Sequence, residues 1–389
     1  MKYTTNPYKY TTPETCLQIH KRYIIWKNQT TVKGGIYFMK HKLILIGCGG
    51  MAQSHAVRLS ALGDRLEVGA VVDLLPEKAQ AVSDLLENHP PVFTDYHDAL
   101  EYGDVVLQCL PHHLHASCTI DCLNAGKHVL AEKPLANTKE ECLAMMEAAK
   151  RNNRILMVAY CMRFHPLVRE MRRLIKEKVY GECFQLSIWT EQLTIKEDIP
   201  WVHDRKLLGG GQLFSHGCHY IDLMLWMLGK PLRGTHVSSK KCTPWMDREG
   251  TSNVCMEFAN GTLGYHFGTW GARGTRLKYS FHAHCEKGMI EFSRPENRLY
   301  LHGNIKEHIP DAPEDCKEYI LIDGAAAGPE KSTAEEMAHF LDCVDSGRQP
   351  ETSPEESLAG LEVIWELYQA EEENRIADLA KIPMPDSFN

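Results

Sequence analysis

From Leu43 to Ala159 short, wholly apolar runs alternate with stretches of helical period. Leu43–Ile46, Val68–Val72, Asp104–Cys109, His128–Leu130 and Ile155–Ala159 read as strands. Between them lie a helix running to Leu62, one over Pro76–Leu86 with proline in its first turn, one reaching Ala125, and one over Thr138–Asn152. Thr138 with Glu141 three residues on is a capping-box signature. Strands that are apolar at every position are covered on both faces, and their alternation with helices requires a parallel sheet between two helical layers. The pattern predicts an α/β, doubly wound, Rossmann-type N-terminal domain.

Beyond about Tyr160 the rhythm changes. A helix over Pro166–Lys176, an alternating strand over Cys183–Glu191 and a glycine-opened helix over Gln212–Leu228 precede a cluster of strand-like segments. These are Thr235–Ser239, Asn253–Phe258, Thr262–Trp270, Lys278–His284, Met289–Phe292 and Leu299–Leu301, divided by turn signals such as Asn260-Gly261 and Lys287-Gly288. Strands gathered with few helices between them predict a C-terminal α+β domain with a large open, mainly antiparallel sheet. Two helices, Thr333–Ser346 and Ser353–Asn374, follow. The expected divisions are 1–38, a non-core tail or mis-called start preceding Met39; 39–160, the dinucleotide domain; and 161–389, a substrate-binding and oligomerisation domain.

Composition narrows the function. The 389 residues are 43% hydrophobic and 24% charged, enough apolar mass for packed cores and unlike a disordered chain. Lys+Arg 43 against Asp+Glu 51 gives a net charge of −8, without a basic stripe, which argues against a nucleic-acid partner. No apolar run approaches the ~20 residues of a membrane helix, and no signal-peptide core is seen. The 14 cysteines are scattered without a C-x-x-C pair; they are expected to be reduced, in a cytoplasmic protein.

Gly47-Cys48-Gly49-Gly50-Met51-Ala52 follows the first strand and opens the first helix, the required context of a G-x-G-x-x-G/A dinucleotide fingerprint. Gly47 permits the turn, Gly49 lets the backbone approach a pyrophosphate, and Ala52 keeps helix and strand close; Gly50 and Met51 begin the helix whose N–H groups face the phosphates. Asp73 closes the second strand, where an acid binds ribose hydroxyls, and Leu74 follows it. With no Lys or Arg nearby for a 2′-phosphate, NAD is favoured over NADP. Glu132-Lys133-Pro134 stands at the carboxyl end of another sheet strand, outside which ligands of such sheets bind.

With Leu110–His115 (LPHHLH), Ala125–Ala136 (AGKHVLAEKPLA) and Gly209–Trp226 (GGGQLFSHGCHYIDLMLW), the chain resembles the Gfo/Idh/MocA family over about residues 42–380. The resemblance implies an oxidoreductase that interconverts secondary alcohols and ketones of sugars, sugar derivatives or cyclitols with NAD. It implies Lys133 beside the substrate hydroxyl and His219 as general acid/base, with Leu110, Pro111, His115 and Glu132 near the cofactor. Tyr160, Arg163 and His165 match a cleft-lining segment, with Arg163 holding the cofactor or a polar substrate group. Trp201 and His203 precede the glycines as sugar contacts, and Ser215, His216 and Asp222 flank His219. Where many family dehydrogenases carry an Asp, this chain has Ser215. That departure keeps open a redox-neutral NAD-dependent glycosidase or lyase; a non-catalytic dinucleotide-binding regulator is the other alternative. His216, His219 and Asp222 share a helix face but match no zinc motif, so no metal is expected. The family assembles as homodimers or homotetramers through its open sheet.

Overall fold

The computed structural model describes residues 40–324 and 331–388; the tail expected over 1–38 lies outside the described residues. The first sheet contains β1 (His41–Ile46), β2 (Leu66–Val72), β3 (Val92–Phe93), β4 (Val105–Gln108), β5 (His128–Ala131) and β6 (Leu156–Val158). Its order is β3-β2-β1-β4-β5-β6, and every neighbouring pair is parallel. Leu43, Ile44, Leu45 and Ile46 are all buried, as the uninterrupted apolar run requires. Helices α1 (Gly50–Leu59), α2 (Pro76–Ser83), α3 (His115–Asn124) and α4 (Lys139–Arg151) connect the strands. Thr138 and Glu141 make both bonds of the capping box that starts α4. Strand order reverses between β1 and β4, which opens a crevice at their carboxyl ends.

The second sheet has nine strands: β7 (Cys183–Glu191), β8 (Pro231–Ser239), β9 (Thr251–Phe258), β10 (Leu263–Thr269), β11 (Tyr279–Cys285), β12 (Gly288–Ser293), β13 (Arg298–His302), β14 (Glu318–Asp323) and β15 (Ala377–Asp378). Their order is β14-β13-β12-β11-β7-β10-β9-β8-β15, antiparallel except for the parallel pair β7–β10. Helices α5 (Pro166–Lys176), α6 (Cys218–Leu228) and α8 (Pro354–Glu372) cover one face, whereas α7 (Thr333–Ser346) packs back on α1 and β5. Along the other face Val237 pairs across to Asn253, Phe267 and Trp189, and Val237, Cys255 and Leu263 are exposed.

The structure departs from expectation at several elements. β3 and β15 have two residues each, too short for a periodic signal, and β14 was not foreseen. The helix expected over Pro76–Leu86 stops at Ser83. The helix expected over Gln212–Leu228 begins instead as a wide π-helical turn, Leu213–Gly217, before α6. That turn carries Ser215 and His216, and such turns are frequent at functional sites. No helix among the described residues is long and apolar enough to cross a membrane.

Candidate active site

The glycine loop between β1 and α1 is shaped by steric necessity. Gly47 has φ +87°, and a Cβ there would stand 2.4 Å from the Cys109 carbonyl oxygen. Its N–H donates to Val72 O at 2.8 Å, while Cys48 N–H donates to Asp73 Oδ2 at 2.8 Å. Asp73 Oδ1 accepts from Leu75 N–H at 3.0 Å, so the acid is fixed beside the loop. By contrast, a Cβ at Gly49 or Gly50 would meet nothing within 4 Å. The start of α1 has no side-chain cap and no acidic residue in its first turn. Open space, uncapped N–H groups and a positive dipole end make an anion cradle that a dinucleotide pyrophosphate fits. Ala52 is fully buried against the sheet.

Lys133 lies two residues beyond β5 and is joined to Pro134 by a cis bond, and its Nζ donates to Ser215 O at 2.9 Å. A side chain from the first sheet thus meets the π-turn of the second unit, where His219 lies one turn further along. His219 is buried, its Nδ1 enclosed without a partner. Tyr160 packs edge-to-face on its ring at 5.6 Å, with the Tyr160 hydroxyl 3.1 Å from Ser357 Oγ. Burial first, then the positive charges of Lys133, Lys331 and Arg294, push the His219 pKa well below 6.5. Neutral at physiological pH, His219 is able to accept a proton, and the Lys133 ammonium beside it is able to stabilise oxyanionic charge.

Comparison with known proteins fits this arrangement. Residues 41–160 match the family model "Oxidoreductase family, NAD-binding Rossmann fold", and residues 168–291 match "GFO/IDH/MocA C-terminal domain". The chain belongs to the GFO/IDH/MocA family. A levoglucosan dehydrogenase of Pseudarthrobacter phenanthrenivorans is 27% identical over 289 residues, covering 64% of this chain and 72% of that protein. The rhizopine catabolism protein MocA of Rhizobium meliloti is 28% identical over 206 residues, covering 52% and 62%. D-glucoside 3-dehydrogenase of Escherichia coli is 28% identical over 223 residues, covering 56% and 61%, so the match spans under two thirds of these last two relatives. A solved levoglucosan dehydrogenase complex with NADH and levoglucosan shares the fold, with TM-score 0.77 at 22% identity over 88% of this chain and 99% of that one.

Within this GFO/IDH/MocA chain several expected site residues have other partners. Arg163 was expected at the cofactor or substrate and Asp222 at the substrate, but they are buried together. Arg163 Nε donates to Asp222 Oδ2 at 2.7 Å and Nη2 to Oδ1 at 2.5 Å, while Nη1 donates to Glu356 Oε2 and to Glu351 O, both at 2.7 Å. His115 is likewise enclosed, its ring nitrogens 2.8 and 2.9 Å from the carbonyl oxygens of Pro134 and Leu110, bracing the loops that carry Lys133 and Leu110-Pro111. Glu132 accepts from His55 Nε2 at 2.9 Å; burial raises its pKa, but His55 and Lys133 outweigh that and hold it at about 2. His203 donates through Nε2 to Lys196 O at 2.9 Å, and Trp201 packs on His112 at 5.0 Å.

His216 is half-buried at the cleft, Nδ1 3.3 Å from Gln212 Nε2 and Nε2 3.3 Å from the Tyr279 hydroxyl. Donor atoms of His55, Cys109 and Glu132 lie within 4.8 Å of one another, a metal-capable set made of other residues than the His216/His219/Asp222 group weighed in the sequence. The sequence reading missed Lys196, Tyr279, Arg294 and Lys331. Of these, Lys331 Nζ lies 3.2 Å from Met51 Sδ, beside the cradle. None sits in a motif; only the fold brings them to the cleft.

Proposed function

We propose that this chain is an NAD-dependent dehydrogenase converting a secondary alcohol of a sugar, sugar derivative or cyclitol to the ketone. The observation that carries the reading is the meeting of Lys133 and neutral His219 next to the anion cradle of α1. The names of the relatives, dehydrogenases of levoglucosan and glucosides among them, support the same class. Gly47–Ala52 and Asp73 would hold the dinucleotide, which supplies the hydride acceptor when bound. Lys133 orients the alcohol oxygen and stabilises its negative charge, and His219 takes the hydroxyl proton. Tyr160 and the enclosure of His219 keep the ring fixed and dry. Ser215 contributes its carbonyl oxygen to Lys133, where family dehydrogenases offer a carboxylate side chain. The exposed apolar positions of the open sheet support a homodimer or homotetramer, and the unpaired described cysteines support a cytoplasmic setting.

NADH absorbance tests the reading: purified protein mixed with NAD and a pooled panel of sugars, polyols and glycosides is expected to give a substrate-dependent rise. Because the His219 pKa lies below 6.5, its basic form persists as pH falls through that value. The kcat/KM for oxidation is therefore expected to stay level from pH 8 to 6.5 and to decline only below it. A midpoint at or above pH 7 would remove His219 as the base. Glycoside cleavage with a flat NADH trace would instead identify redox-neutral elimination, the alternative that Ser215 keeps open.

A further inference from the structure

The cleft around His219 holds more positive charge than alcohol oxidation uses. Lys133, Lys196, Arg294 and Lys331 are all half-buried, and none forms an ion pair with a described residue. Lys331 Nζ lies against Met51 at the cradle, Arg294 stacks on Tyr279, which contacts His216, and Lys196 sits over Trp270, whose apolar cluster holds the Trp201 that packs on His112. The charges of Lys133, Lys331 and Arg294 bear on His216 and His219, and those of Lys133 and Lys196 on His112. Glu132 is ionised, bonded to His55 and offsetting Lys133 and Lys331, whereas burial drives Glu336 far toward its protonated form; Lys196 and Arg294 form no ion pair with a described carboxylate.

Two of the four cations are accounted for: Lys133 by the alcohol oxygen, and Lys331, beside Met51, by a dinucleotide pyrophosphate. Lys196 and Arg294 belong to the second unit and remain. Lys196, in the loop after β7, lies 5.8 Å from the centre of the Trp270 ring, and the His203 bond to its carbonyl pins that loop. Burial, then Lys133 and Lys331, lowers its pKa, the mark of an ammonium short of counter-charge. Arg294, in the turn after β12, stacks 4.7 Å from the Tyr279 ring centre, and Tyr279 in turn contacts His216. Like charges gathered partly out of water repel one another, and a bound anion converts that repulsion into attraction.

We propose that the substrate is an anionic sugar derivative, a sugar acid or sugar phosphate, whose charge is recognised by Lys196 with Arg294 adding to the attracting field. This rests on the dehydrogenase reading and narrows its substrate class. The same cations disfavour cationic aminosugars and leave neutral polyols without their main anchor.

The test compares D-glucuronate, D-galacturonate and glucose 6-phosphate with glucose and galactose as substrates at matched ionic strength. At least one anion is expected to exceed its neutral parent about tenfold or more in kcat/KM, a charged hydrogen bond's worth. Added salt raises KM for the anion alone. Lys196→Met collapses the anion-to-neutral ratio, and Arg294→Met shifts it the same way. Preference for the uronates over the phosphate, or the reverse, names the anion. Neutral parents used as well as the anions, or a ratio untouched by Lys196→Met, overturns the proposal. A second readout needs no turnover: glucuronate or glucose 6-phosphate added to the NADH complex quenches tryptophan fluorescence through Trp270, and Lys196→Met abolishes this. If nothing reduces NAD while that quenching persists, the dehydrogenase reading falls and the anion site stands; if glucose quenches as well as both anions, the anion site falls.

Discussion

Lys133→Met is expected to lower kcat for alcohol oxidation about 10²–10³-fold, the usual loss when one donor to a developing oxyanion is removed. The loss falls on kcat because the ammonium's attraction grows as the alcohol oxygen gains charge, so it stabilises the transition state more than bound substrate. The position is well prepared for this. β5 delivers Lys133 to the carboxyl edge of the sheet, His115 braces Pro134 behind it, and one N–H is tied to Ser215 O. A lysine ammonium has further donors beyond that one, and these are available to the substrate. Lys133→Arg is expected to rescue little, because a planar fork cannot reproduce a compact charge at the same point. NADH titration of Lys133→Met checks that the cofactor still binds, since the cradle depends on Gly47–Ala52 and α1. Near-normal turnover in Lys133→Met would remove this residue from the chemistry.

The parts of this site legible in the sequence are those with a local cause. Gly47 must be glycine because the neighbouring strand end lies against it, and that constraint is written into a short motif after an apolar strand. The all-apolar strands of the first sheet announce burial on both faces, and their alternation with helices announces a doubly wound parallel sheet. Long-range convergence is a different matter. Lys196, Arg294 and Lys331 come from three separate loops, and nothing near them in sequence marks a cation that will face a histidine dozens of residues away. Arg163 shows the opposite error: a guanidinium beside a cleft segment reads the same whether it meets a ligand or a buried carboxylate. The π-turn was hidden because a helix and its wide-turn variant share nearly the same apolar spacing, so Ser215 and His216 were placed on a regular helix.

Arg163→Met is expected to destabilise the protein by about 3–5 kcal/mol, the cost of leaving buried carboxylates without their counter-ion. Arg163, Asp222 and Glu356 are all buried, and the guanidinium also lies 5.4 Å from the centre of the Trp226 ring and 5.2 Å from that of Phe388. Burial already pushes the Asp222 pKa up to about 6 against the downward pull of Arg163. Without Arg163 that pull vanishes and the folded-state pKa of Asp222 rises further above its unfolded value. An acid with a raised folded pKa binds its proton more tightly when folded, so its burden on stability grows as pH rises and eases as pH falls. The gap between Arg163→Met and the parent chain, measured by urea unfolding, is therefore expected to be wider at pH 8 than at pH 5. Equal gaps at both pH values would mean that lost packing on Trp226 and Phe388, rather than orphaned charge, sets the cost. Arg163→Lys should recover only part, because one ammonium cannot make the paired bonds to Asp222 and also reach Glu356 and the Glu351 carbonyl. Since Asp222 stands one helical turn beyond His219, the clamp that ties α6 to the start of α8 also holds the turn that carries His219, the base proposed above. In a variant still folded at low temperature, kcat should fall with little change in the affinity for NADH, whose cradle is built on the other sheet.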